Sequence, residues 1–142
     1  MKRLILALLL ITPTAQAIDY TADDVMRLAD VMYCEARGEG RLGMLAVGDV
    51  VKNRVNDSRW PNTVRGVIEQ PRQFSCIGDV VRIDDDAAYE LAVDLAAYSL
   101  SGKAPRITRA NHYYAHGKIS TPAWARQMSQ LGEIGNHRFY LN

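Results

Sequence analysis

The stretch Tyr33-Cys34-Glu35-Ala36-Arg37-Gly38-Glu39-Gly40 sets a carboxylate at the end of an amphipathic helix pattern, where Gly38 and Gly40 break it. Upstream, Val25, Leu28, Ala29, Met32 and Ala36 recur at helical spacing. Thr21 can cap that helix, and Asp23 and Asp24 suit the positive end of its dipole. The pattern predicts a helix running to about Arg37, with the glycines as its exit. A helix end of this kind holds its backbone rigid, and the glycines let a ligand approach closely. A partly desolvated carboxyl keeps its proton nearer neutral pH and can serve as a general acid. On pattern alone, however, a solvated helix-end carboxylate is the plainer account of Glu35.

Downstream, a second helix is predicted from about Leu42 to Val55, with Leu45, Gly48, Val51 and Val55 on one stripe. Gly43, Ala46 and Gly48 are small enough to let another helix pack closely. Turns at Asn56-Asp57-Ser58 and Trp60-Pro61-Asn62 lead to a short helix through Ile68, capped by Asn62 or Thr63. Residues 72–81 carry no clean period and read as a loop. Asp84-Asp85-Asp86 opens a helix running to about Leu100; this triplet suits a helix start better than a metal site. After Pro105 the character changes. Asn111 to His116 is rich in strand formers, Pro122 can start a short helix carrying Trp124, and His137 to Leu141 reads as a closing strand. The expected fold is α+β and mostly α, a helical domain with a small antiparallel sheet near the C-terminus.

The 142 residues suffice for one domain. Lys2 and Arg3 precede the apolar run Leu4–Ile11, and Ala15-Gln16-Ala17 fits a small-x-small cleavage site. Residues 1–17 therefore read as a signal peptide and 18–142 as the working domain, exported to the periplasm or the extracellular medium. The apolar run is too short for a stable membrane span. Loss of Lys2 and Arg3 from the 17 basic side chains leaves 15 against 16 acidic ones, a net charge of −1. That balance argues against nucleic acid as a partner. Cys34 and Cys76 would meet an oxidising compartment. A bridge between them would close a loop of about 43 residues and contribute about 3–4 kcal/mol; two separately buried thiols are the alternative.

Glu39, four residues after Glu35, could be a second catalytic carboxylate or could hold the loop through hydrogen bonds. His112, His116 and His137 raise the question of zinc; the first two have the spacing of a helical pair, but residue 113 is Tyr where a zincin motif needs Glu. Ser75 has no G-x-S-x-G elbow around it. Tyr113, Tyr114 and Trp124 could stack on sugar rings or pack in the core. On a strand the two adjacent tyrosines must face opposite ways.

Taken in order, several runs resemble the SleB-like cell wall hydrolase family. They are Glu35-Ala-Arg-Gly-Glu39, Ala46-Val-Gly-Asp-Val-Val-Lys-Asn-Arg-Val55, Trp60-Pro-Asn-Thr-Val64, Gln70-Pro-Arg-Gln-Phe-Ser75, His112-Tyr-Tyr114, Pro122-Ala-Trp124 and Gly135-Asn-His-Arg-Phe139. The series covers nearly all of residues 18–142. The resemblance implies a lysozyme-like domain acting on peptidoglycan glycan strands as a lytic transglycosylase, with Glu35 as the acid. It implies that Gln73, Phe74, Ser75, Tyr113 and Tyr114 lie near the glycan cleft, and that Arg37, Asn53, Arg54 and Glu39 are support. A monomer is expected, with no cofactor and no metal. The wall-binding repeat domain of some spore-cortex members has no counterpart in these residues. If Cys34 pairs with Cys76, the bridge would draw Gln73-Phe74-Ser75 against Glu35.

Overall fold

In the computed structural model, which describes residues 18–76 and 80–142, the chain begins with helix α1, Ala22–Ala36. The expected signal peptide lies outside the described residues. Thr21 caps α1 reciprocally: its hydroxyl accepts from the Asp24 N–H, and the Asp24 carboxylate accepts from the Thr21 N–H. Leu28, Val31, Met32 and Tyr33 are fully buried along the inner face. The helix ends one residue early, because Arg37–Glu39 tighten into a 3₁₀ turn. Gly40 then adopts φ 64°, a left-handed conformation that glycine takes without strain, and helix α2 starts at once as Gly40–Val55.

Helix α2 is the centre of the domain. It packs against α1, against the short helix α3, Val64–Ile68, and against α4, Asp86–Leu100. Its burial extends round the whole circumference from Gly43 to Val51, where a single apolar stripe is predicted. Gly48 lies so close to Met32 that a methyl group there would overlap the Met32 side chain. The one acidic residue in this stretch, Asp49, is only 2% exposed. It accepts from the backbone N–H groups of Ile107 (2.6 Å) and Thr108 (3.0 Å) and pairs with Lys52 (3.0 Å). Asn53 donates to the carbonyls of Thr108 and Ala110. The polar edge of α2 thus fixes the segment that delivers the first strand.

That strand, β1 (His112–Ala115), pairs antiparallel with β3 (His137–Leu141), which pairs in turn with β2 (Ser129–Ile134). The predicted closing strand is therefore the central one. Strand β2 is absent from the sequence reading for a physical reason: it is an exposed edge strand with a register shift between Gln130 and Gly132, so its burial has no alternation. The short helix expected after Pro122 is a 3₁₀ segment, Ala123–Gln127. Among the described residues no helix is long and apolar enough to cross a membrane.

Candidate active site

Glu35 sits half-buried on the last turn of α1. Its Oε1 accepts two hydrogen bonds from Ser75, one from the backbone N–H (2.9 Å) and one from the hydroxyl (2.8 Å). The loop that carries Ser75 is held from both ends. On one side Cys76 is disulfide-bonded to Cys34, with Cα atoms 6.2 Å apart. On the other, the buried Arg54 donates to Gln73 Oε1 (2.9 Å) and to the Asn111 carbonyl (2.7 Å), and its guanidinium stands 5.8 Å from the Phe74 ring centre. Phe74 is buried beneath it. Ser75 is thereby held against Glu35 across a span of forty residues, while Gln73 is tied to Arg54 and Phe74 packs in the core.

The opposite wall comes from the sheet. Register pairs Tyr113 with Phe139, and both rings face the helices. The Tyr113 hydroxyl is buried and has no partner at hydrogen-bonding geometry among the described residues. It nevertheless lies beside Glu35: burial pushes the phenol well above its ordinary value, and the Glu35 carboxylate adds to that shift. His137 packs edge-on to Tyr113, with ring centres 5.1 Å apart. It is 4% exposed, and its Nδ1 is likewise buried without a partner among the described residues. Burial lowers its pKa, against the opposing pull of the Glu39 and Glu35 carboxylates. From the sequence His137 is read only as a zinc candidate and a closing-strand residue; the structure sets it against Tyr113 at the candidate site. Its alternation with Phe139 on one strand was the available signal for that placement.

Glu39 points elsewhere. Its Oε2 accepts from the Asn136 backbone N–H (3.0 Å) and its Oε1 from the Asn136 side-chain amide (3.1 Å). Both oxygens are thus engaged in holding the β2–β3 turn. Arg37 binds the Tyr33 hydroxyl (2.8 Å) and the Asp84 carboxylate, and the Tyr33 hydroxyl donates to Asp84 (2.7 Å). This trio anchors the approach to α4, while Asp85 caps that helix by accepting from the Ala88 N–H (3.0 Å). Asp84 is thereby engaged in pairing and Asp85 in capping, and Asp86 is the acidic residue of the first turn of α4.

Tyr114 does not join this group. It faces the other side of β1, where it stacks with Tyr140 and meets Trp124 edge-on. His112 and His116 stand at the two ends of an extended segment, about 13 Å apart at strand rise, too far for one ion. His112 packs between Trp60 and Trp124, and His116 lies 3.6 Å from Glu133. A hollow of about 450 Å³ lined by Asn53, Asn56, Asp57, Arg106 and Arg109 contains none of Glu35, Ser75 or Tyr113. The chemistry-bearing groups meet instead where the α1 end, the Cys76 loop and β1 converge.

A family model described as Cell Wall Hydrolase matches residues 38–140. The chain belongs to the cell wall hydrolase family. Glu35 lies just ahead of that match, but the similarity to individual relatives extends over 84% of the chain. The chain is 34% identical over 122 residues to a spore cortex-lytic enzyme of Bacillus cereus, covering 84% of this chain and 45% of that relative. It thus spans less than half the length of that relative. Among solved structures, it is similar to the catalytic domain of the germination-specific lytic transglycosylase SleB from Bacillus anthracis. There the TM-score is 0.68 and the identity 30%, over 85% of this chain and 96% of that one. The catalytic domain of the Bacillus cereus SleB protein gives a TM-score of 0.66 and 31% identity, over 86% and 92% of the two chains. This member of the cell wall hydrolase family thus has the mostly helical, lysozyme-like fold with a small antiparallel sheet.

Proposed function

We propose that this cell wall hydrolase is an exported enzyme that cleaves peptidoglycan glycan strands, and that it does so as a lytic transglycosylase with Glu35 as its single acid/base. The observation that carries the reading is the setting of Glu35: Ser75 donates twice to one oxygen, and a buried phenol faces the same carboxylate. In its protonated form Glu35 gives its proton to the glycosidic oxygen between N-acetylmuramic acid and N-acetylglucosamine. As that bond breaks, positive charge develops at the muramic C1. The two Ser75 donors stabilise the carboxylate that results. Glu35 then takes the proton of the muramic C6 hydroxyl, whose oxygen closes on C1 to leave a 1,6-anhydro end.

The reaction consumes no water and needs no second carboxylate, unlike ordinary glycoside hydrolysis. Engagement of both Glu39 oxygens by Asn136 favours this one-acid scheme over a two-carboxylate muramidase. The test is mass spectrometry of products from purified murein. Anhydro-ended fragments, one water lighter than reducing-ended ones, are expected from the wild type and none from a folded Glu35→Gln variant. Reducing ends would replace this scheme with hydrolysis. Full activity in Glu35→Gln would overturn the assignment of Glu35.

A further inference from the structure

The outer face of β1 carries a group of side chains that the reaction above does not use. Asn111 is buried beside it, and its orientation is fixed by Asn142. Asn111 Oδ1 accepts from the Asn142 backbone N–H (3.1 Å), and Nδ2 donates to the Asn142 carbonyl (3.4 Å). The atom 2.8 Å from His112 Nδ1 is therefore an oxygen already acting as acceptor. His112 must place its proton on Nδ1, which leaves Nε2 as a bare acceptor. That nitrogen has no hydrogen bond among the described residues and is not among the buried polar atoms there.

The acceptor lies between two indoles. Trp60 is 5.8 Å and Trp124 5.3 Å from the imidazole, centre to centre. Trp60 is covered by the Arg59 guanidinium at 4.8 Å and forms a wall. Trp124 is half-buried and set by the rings of Tyr114 (6.0 Å) and Tyr140 (5.5 Å). The part of it left exposed is the surface a ligand can reach.

We propose that His112 and Trp124 form a saccharide-binding subsite, taking an N-acetylated sugar of a glycan strand away from the bond that Glu35 cleaves. The proposal rests on the peptidoglycan reading above. A sugar supplies both features the site asks for: an apolar C–H face to lie on an indole, and a hydroxyl or amide donor for Nε2. A phosphate or carboxylate brings no donor to a neutral imidazole. A cation would meet Arg54 and Arg59, whose charges also help burial hold His112 unprotonated, at a pKa of about 4. The site is joined to the catalytic loop through Arg54, which stands 5.7 Å from the Trp60 ring centre while donating to Gln73.

Binding is measured without turnover, in the Glu35→Gln protein, as retention on intact murein sacculi. Adding His112→Phe, which keeps an aromatic ring but removes the acceptor, or Trp124→Leu is expected to weaken retention about tenfold each, the value of one hydrogen bond or stacking contact. Retention unchanged by either substitution would overturn the subsite and leave the Glu35 chemistry untouched. If the substitutions unfold the chain, nitrogen NMR of His112 in the Glu35→Gln protein answers instead. Titration with an N-acetylglucosamine tetramer is expected to move the Nε2 resonance toward the hydrogen-bonded position; an unmoved resonance at saturation would also refute the subsite. A wild type that binds murein but releases no fragments would defeat the proposed activity and not the subsite.

Discussion

Ser75 donates both its backbone N–H and its hydroxyl to a single oxygen of Glu35, a residue forty positions earlier in the chain. The two bonds differ in what mutation can reach. Ser75→Ala removes the hydroxyl and keeps the backbone donor. A hydrogen bond to a charged group contributes about 1.5–3 kcal/mol, and exposure of Ser75 places this one at the low end. Ser75→Ala is expected to lower kcat/KM on murein about tenfold with little change in melting temperature. A loss of stability with activity retained would mean that the contact holds the loop and does not serve the acid.

The Cys34–Cys76 bridge joins the residue before Glu35 to the residue after Ser75. Its removal should therefore act twice. Opening a closure of 42 residues is expected to cost about 3–4 kcal/mol in denaturant unfolding. Activity should fall further than stability explains, because Ser75 loses its fixed distance to Glu35. The check is turnover of the Cys34→Ala/Cys76→Ala variant well below its melting temperature. Wild-type kcat there would show that Arg54 and Phe74 position the loop unaided.

Much of this arrangement is legible in the chain. The period of Leu28, Met32 and Ala36, the Thr21 cap and the glycines after Glu35 together define α1 and place the carboxylate at its end. Cysteine count and spacing point to the loop that meets it. Other parts depend on tertiary partners that no local pattern carries. Asp49 is buried because backbone donors fifty-eight and fifty-nine residues away turn toward it. Alternation says that Tyr113 and Tyr114 face opposite sides, but only pairing with β3 decides which one meets Glu35. His137 is an ordinary strand residue until Tyr113 and the two glutamates surround it.

Two histidines are expected to make the fold sensitive to acid. Burial, aided by Arg54 and Arg59, depresses His112 from its ordinary 6.5 to about 4, and burial lowers His137 as well. Below pH 6.5 the unfolded chain takes up protons that the folded chain refuses, so stability rises with pH through this window. Acidification from about 6.5 toward 4 is therefore expected to lower the melting temperature progressively. His112→Phe should flatten that slope. A melting temperature constant across the window would show that neither ring is held neutral by the fold.

Glu39 and Asn136 offer a way to tell support from catalysis. Each Glu39 oxygen accepts from Asn136, and Asn136 directly precedes His137, which packs on Tyr113. Glu39→Ala leaves the turn untied and is expected to cost about 1.5–3 kcal/mol, with activity falling through misplacement of the sheet wall. Gly135→Ala reaches the same contact from the other side. Gly135 has φ 55°, and a methyl group there would overlap the Glu39 carboxylate. Left-handed strain and displacement of Glu39 together should cost about 1–3 kcal/mol. If Glu39 only ties the turn, the two variants should resemble each other in melting temperature and residual turnover, and their products should keep anhydro ends. A second catalytic carboxylate would separate them: Glu39→Ala would lose turnover with the fold intact, whereas Gly135→Ala, which retains the carboxylate, would keep a measurable share.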